Sequence, residues 1–476
     1  MDTSLKSLNS YRHLKEQFVS NLTGSSMLEL FSLTTLLFSV TLLQHYVGSD
    51  AQTDALSKKH EKENGIARTK HLGIYIVAVG LDFLCTVVPF VLFTTVLSDW
   101  TSINTSMVAL LLLLCILSRS FGSFPDDGLQ SLRQNISAYR VFMMLITCLC
   151  ILAVDFRIFP RRFAKTETYG TSLAVAVDNH ELEITTMDMG VGSFVLANSL
   201  VSRHARGISI VNLTSSLRSS TPLIFLGLVR LISTSSVDYQ VHVGEYGVHW
   251  NFFFTLASVT ILTSSVNVSP NYCGILGLLI LLGYQVCLLL GLNEYLLSDK
   301  RGANLISQNK EGIFSIFGYW SLYLIGVQLG HFLFFGKDYN VTSRTNKLAT
   351  IRVCVLSLSL WLFTYIVDTH VERVSRRTCN LAYVCFVLAL NLQALGIIML
   401  SGFVFRRKIS ALEEAFDQNL LATFLLANML TGLVNLSIDT LSVSSISALA
   451  ILLAYGFVLS LTVGIANFYG FKFKFW

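Results

Sequence analysis

The sequence predicts an all-α, polytopic membrane protein with about thirteen transmembrane helices and no separate soluble domain. Three observations carry this. Of 476 residues, 53% are hydrophobic and only 13% charged, with a mean hydropathy of +0.61. Soluble domains carry about 25% charged residues, and no folded core can hide this much apolar surface, so lipid must cover it. Apolar stretches of spanning length recur from about residue 26 to the C-terminus. Only five prolines interrupt them, so most helices should run unbroken.

Taken in order, the apolar windows predict helices near 27–47, 72–97, 102–118, 138–155, 188–203, 221–235, 249–268, 271–292, 313–335, 349–368, 381–405, 419–436 and 445–469. The chain reads as one integral membrane domain over 1–476, with no internal repeat. A polar segment, 1–25, leads straight into the first span without a cleavable signal. Lys and Arg are more numerous in the loops on the C-terminal side. That bias predicts a cytosolic C-terminus and a lumenal N-terminus.

Several function classes lose support. The nine cysteines form no CxxC pair and mostly fall within apolar runs, so packing explains them and no metal site or disulfide framework is expected. The net charge of +5 comes from loop Lys and Arg and does not point to nucleic acid. The absence of a P-loop, a GxSxG elbow and HExxH argues against ATP-driven transport, α/β-hydrolase chemistry and zinc hydrolysis.

Five polar loops fall on the non-cytosolic face of this topology. They are "DFRIFPRRFAKTETYGTS", "VDYQVHVGEYGVHWNFF", "SQNKEGIFS", "DTHVERVSRRTCN" and "NLSIDTLSVSS". Acids, amides and aromatics gathered at one face are the pattern of a site built at helix ends. The plainer reading is a set of solvated loops with caps and surface ion pairs. Asp155 favours the former. A carboxylate at a helix C-terminus opposes the helix dipole, so a catalytic or substrate role suits it better than capping. Lys165 can steady an oxyanion or pair with Asp155. Arg161 and Arg162 can grip a phosphate or anchor the chain at the interface. His249 reads as a hydrogen-bonded structural residue. Trp250, Tyr246, Phe252 and Phe253 read as an interfacial aromatic belt. Asp82 and Arg230, inside spans, read as partners in internal ion pairs.

The blocks "ILAVDFRIFPRRFAKTETYGTS", "MDMGVGSFV", "EYGVHWNFFFT", "NKEGI", "VSRR" with "NLAY", and "LLANMLTGLVN" run in order over nearly the whole chain. They resemble those of the glucosaminyl-phosphatidylinositol acyltransferase family, which attaches a fatty acyl chain to inositol during GPI-anchor synthesis in the endoplasmic reticulum. The resemblance implies about thirteen spans and lumenal acylation. It implies transfer of a long-chain acyl group such as palmitoyl from acyl-CoA to the inositol 2-hydroxyl of glucosaminyl-phosphatidylinositol. Acyl-CoA is then a co-substrate, no cofactor is needed, and membrane lipids are the remaining partners. The acid and base fall on Asp155 and Lys165. Substrate-binding roles fall on Arg161 and Arg162 in the first block and Asp188 in the second. In the third they fall on Glu245, His249, Trp250 and Asn251. Glu311, the pair Arg376 and Arg377, and the amides Asn428 and Asn435 complete the set.

Three departures from the family pattern stand out. Arg157 replaces a proline in "DFPIFPRR". Lys310 replaces an arginine in "NREGI". The segment "AVAVDNHELEITT", 174–186, interrupts a normally continuous "TSLMDLGVG". Other readings remain. A transporter or lipid scramblase predicts inverted repeats and broken helices, which the sequence does not show clearly. A membrane-bound O-acyl type of enzyme would use His249 or His331. A non-catalytic subunit of a GPI-synthesis assembly is the third.

Overall fold

The computed structural model describes residue 18 and residues 24–47, 65–118, 128–164, 186–208, 213–236, 243–298, 300–335, 343–404 and 409–472. Among these the structure is 83% helical, with no strand. The long elements are α1 (Met27–Val47), α2 (Gly65–Asp82), α3 (Val88–Thr94), α4 (Thr101–Ser118) and α5 (Gly128–Ala153). Next come α6 (Thr186–Leu200), α7 (Leu213–Ser236), the single turn α8 (Val243–Tyr246), α9 (Phe252–Val266) and α10 (Pro270–Cys287). They are followed by α11 (Asn293–Leu297), α12 (Leu305–Gln308), α13 (Lys310–Gly330), α14 (Ser343–His370) and α15 (Leu381–Val404). The chain closes with α16 (Ala411–Gln418), α17 (Leu420–Ser437) and α18 (Ser445–Phe468). Five-residue π turns join α2 to α3 and α10 to α11.

Every apolar window of the sequence is helical, but the expected count of about thirteen crossings is not supported. Ten helical stretches among the described residues are long and apolar enough to span. The other three are α6 and α9, of 15 residues each, and α7. A 15-residue helix rises about 22 Å, short of the roughly 30 Å hydrocarbon core. α7 is long enough but carries Arg218, Pro222, Arg230 and a run of Ser and Thr.

α15 is the spine. Its window is 89% buried, against 17% for α17. An apolar helix buried all round belongs inside the bundle. Its few polar groups are bonded to neighbours. Tyr139 of α5 donates to Asn391 (2.6 Å). Gln393 donates to Phe31 O and Thr35 of α1 and accepts from Trp361 of α14. Asp82 accepts from Gln44 (3.0 Å) and from the backbone N–H of Leu412 (3.0 Å), tying α16 to α2. Such bonds hold helices together where water is excluded.

α13 approaches its neighbours backbone to backbone. A Cβ on Gly318 would lie 2.0 Å from the carbonyl oxygen of Cys379, and one on Gly330 would lie 2.3 Å from that of Leu200. Neither neighbour is a flexible side chain that can swing away. Gly318→Ala is therefore expected to destabilise the protein by at least about 1–3 kcal/mol, read as a fall in thermal unfolding temperature. An unchanged unfolding temperature would show that the helices separate without cost.

α17 touches the bundle along one side. Met429, Leu433 and Leu436 on its outer side are 73%, 62% and 77% exposed. In a membrane this side faces lipid.

Candidate active site

The segment after α5 is shaped by three aromatic anchors. Helical hydrogen bonding gives way to tight turns at Asp155 and Phe156, whose N–H groups donate to Leu152 O and Ala153 O. Pro160 then caps a single 3-10 turn, Arg161–Phe163, whose Phe163 N–H donates to Pro160 O (2.9 Å). Phe156, Phe159 and Phe163 are fully buried. They fix the loop against the bundle and set the polar residues between them at its rim. Arg157, at the position where the resemblance implies a proline, is exposed, so its side chain needs no room in the core.

Asp155 is the centre of the first polar group. Asn435, two residues before the end of α17, donates from Nδ2 to Asp155 Oδ2 at 2.7 Å. This joins two residues 280 positions apart. Arg161 donates from Nη2 to Val154 O (3.0 Å). Burial pushes its guanidinium down to about 10, while Asp155 pulls it back up. Arg162 bonds Glu29 of α1 (2.8 Å) and Asp99 (2.9 Å), in the turn before α4. Burial alone would depress Arg162, but these two carboxylates raise it. Lys165 and positions 174–185 of the extra segment lie outside the described residues; Thr186 opens α6.

A second polar group is set deeper. Arg376 bonds Asp188 (3.0 Å) and Glu245 (3.2 Å), and its guanidinium lies 5.5 Å from the Tyr246 ring centre. Burial pushes the Tyr246 phenol up to about 12, so it is neutral. Glu311 is fully buried and accepts from both Arg301 (2.6 and 3.0 Å) and Arg377 (2.9 Å). It sits in the first turn of α13, where the helix dipole favours a carboxylate. Asp188, Glu245 and Glu311 thus face Arg301, Arg376 and Arg377, three charges against three. A buried ion pair is costly to break and only modestly stabilising when intact.

Lys310, where the resemblance implies an arginine, is held by backbone acceptors. Its fully buried ammonium donates to Tyr295 O (2.6 Å), Ser298 O (2.6 Å), Ser298 Oγ (3.0 Å) and Lys300 O (3.2 Å). These acceptors cluster around the end of α11, where carbonyls left without helical partners favour a cation.

The block "EYGVHWN" is mostly architecture. Gly247 has φ +108°, and a Cβ there would lie 2.5 Å from Asn309 Cα. The backbone N–H groups of Val248 and His249 donate to Gln308 O (3.1 Å) and Asn309 Oδ1 (2.7 Å). Trp250 donates to Thr255 (3.0 Å), and its indole fills the space that a side chain on Gly312 would need. Asn251 caps α9 by accepting from Phe253 and Phe254 N–H, and donates to Gly227 O (2.9 Å). His249 has an exposed side chain. Asn428 donates to Phe424 O within its own helix and is exposed. His331, the alternative histidine, bonds Ala205 O (2.9 Å).

The structure gathers eight of the predicted residues into two groups and leaves Arg162, His249, Trp250, Asn251 and Asn428 outside both, with Lys165 beyond the described residues. Asp155, Asn435 and Arg161 come together at one helix end. Asp188, Glu245, Glu311, Arg376 and Arg377 form the deeper ion network. Sequence reasoning did not single out Arg301, Glu29 or Asp99. Each lies in a polar or helix-end stretch with no local sign of its distant partner.

The GWT1 family model matches residues 11–466. An uncharacterized protein of Arabidopsis thaliana is 52% identical over 453 residues, covering 93% of this chain and all of that one. The phosphatidylinositol-glycan biosynthesis class W protein of Dictyostelium discoideum is 34% identical, covering 83% and 88%. The GPI-anchored wall transfer protein 1 of Aspergillus oryzae is also 34% identical, covering 94% and 96%. With a match that leaves out only the first ten and last ten residues, and relatives aligned over most of their own length, the chain belongs to the GWT1 family.

Proposed function

We propose that this protein acts in GPI-anchor biosynthesis as an inositol O-acyltransferase of the endoplasmic reticulum membrane. Its acceptor is glucosaminyl-phosphatidylinositol and its donor a long-chain acyl-CoA, with the motif loops lumenal. Family membership supports the pathway, through what the names of the Dictyostelium and Aspergillus relatives say of them. The observation that supports the chemistry is the Asp155–Asn435 pair, a carboxylate held in a fixed orientation where a helix meets the membrane edge.

The reaction forms a C–O bond and breaks a C–S bond. Asp155 accepts the proton of the inositol hydroxyl as its oxygen attacks the thioester carbon. Lys165 stabilises the oxyanion of the tetrahedral intermediate. Collapse expels the CoA thiolate, which takes the proton back from Asp155. Asn435 positions the Asp155 carboxylate, so Asn435→Ala is expected to lower kcat by about tenfold, the worth of one hydrogen bond to a charged group. An unchanged kcat would remove Asn435 from this role.

The test of the function is acyl transfer by purified protein supplied with glucosaminyl-phosphatidylinositol and palmitoyl-CoA. An acylated product that loses its new chain on mild alkaline hydrolysis is expected. No product from folded protein, with or without 174–186, would overturn the proposal.

A further inference from the structure

We infer that the tandem arginines divide their work, with Arg161 binding the phosphodiester of the lipid acceptor and Arg162 serving as a clamp. This rests on the acyl-transfer reading of the same site. Arg162 is matched by the carboxylates of Glu29 and Asp99, and its carbonyl accepts from Ser25 (3.0 Å). Its charge is committed to joining the loop to α1 and to the turn before α4.

Arg161 is different. One of its nitrogens bonds Val154 O, while the buried Nε and Nη1 have no hydrogen-bond partner among the described residues. The Phe18 ring lies over the guanidinium, 3.8 Å from its carbon. A ring there covers the face of the cation and leaves its edge donors unused. A buried cation with two idle donors is costly. Such a group is satisfied by an anion that arrives with the substrate.

The identity of the anion follows from where Arg161 is tied. Val154 immediately precedes Asp155, so an anion held by Arg161 lies beside the acid. In glucosaminyl-phosphatidylinositol, the phosphodiester is on the ring carbon next to the 2-hydroxyl. A phosphate on Arg161 therefore brings that hydroxyl to Asp155. In acyl-CoA the phosphates are separated from the thioester by the long pantetheine arm. With the thioester at Asp155, they cannot also be at Arg161. The acceptor fits, and the donor does not.

Equilibrium binding to the detergent-solubilised full-length protein tests this. Glucosaminyl-phosphatidylinositol and palmitoyl-CoA are titrated separately, without turnover. Arg161→Gln is expected to weaken acceptor binding about 10- to 100-fold and to leave palmitoyl-CoA binding at the parent value. Arg161→Lys keeps the charge but loses the planar donor set, and is expected to fall between parent and Gln variant. This second variant decides the matter if the first does not fold. Parent-like acceptor affinity in a folded variant would overturn the inference. A loss confined to palmitoyl-CoA would overturn it too and assign the anion to CoA. Because no turnover is needed, failure of acyl transfer would sink the proposed reaction without touching this measurement.

Discussion

Asp155→Asn is expected to lower acyl transfer by about 10²- to 10⁴-fold, the usual worth of a positioned acid–base group. The loss should fall on kcat, because the amide occupies the same space and the site still binds. Thermal unfolding should stay close to that of the parent. Asp155 lies at the rim of the bundle, and Phe156, Phe159 and Phe163 hold its loop from within. The measurement is single-turnover transfer with both substrates saturating. Full activity in the Asn variant would exclude Asp155 as the base and shift the proton to Lys165. Loss of activity together with loss of folding would show a structural role instead.

Glu311→Gln is expected to have the largest effect on stability. Glu311 has no exposure and neutralises two guanidinium groups, Arg301 and Arg377. An amide leaves two buried cations facing a neutral group. Removing one partner of a buried ion pair costs about 3–5 kcal/mol, a large fraction of the 5–15 kcal/mol that holds a typical domain. Poor recovery from membranes and a sharply lowered unfolding temperature are expected. The companion variant replaces all three side chains with methionine. If the deficit arises from stranded charge, this triple change should recover much of it, since apolar replacement of a whole ion network is often tolerated. Normal unfolding of Glu311→Gln would show that the cluster is already screened by water.

The helices were legible in the sequence because lipid demands long apolar runs, and the windows at 27–47 and 445–469 match their helices almost residue for residue. The number of crossings was less legible. Windows such as 188–203 and 249–268 form helices of only 15 residues packed against α13, and hydropathy does not separate packing on a helix from facing lipid. Asp155 was legible because a carboxylate at a helix C-terminus is out of place. Its partner Asn435 was found only as a motif residue, since a contact across 280 positions leaves no local trace. Arg161 and Arg162 looked interchangeable in sequence. Their difference lies entirely in what other elements bring to them: Glu29 and Asp99 to one, a backbone carbonyl and a phenyl face to the other.

The outward side of α17 carries a kinetic consequence. Asn435 is on the same helix as Met429, Leu433 and Leu436, which are open to the surroundings. Bilayer chains therefore press on a helix that holds Asp155 through Asn435. In the proposed acyl transfer the lipid acceptor arrives by sideways diffusion in two dimensions, so its effective concentration is its mole fraction among the surrounding lipids. Rates should follow surface dilution with inert phospholipid or detergent at a fixed bulk amount of acceptor.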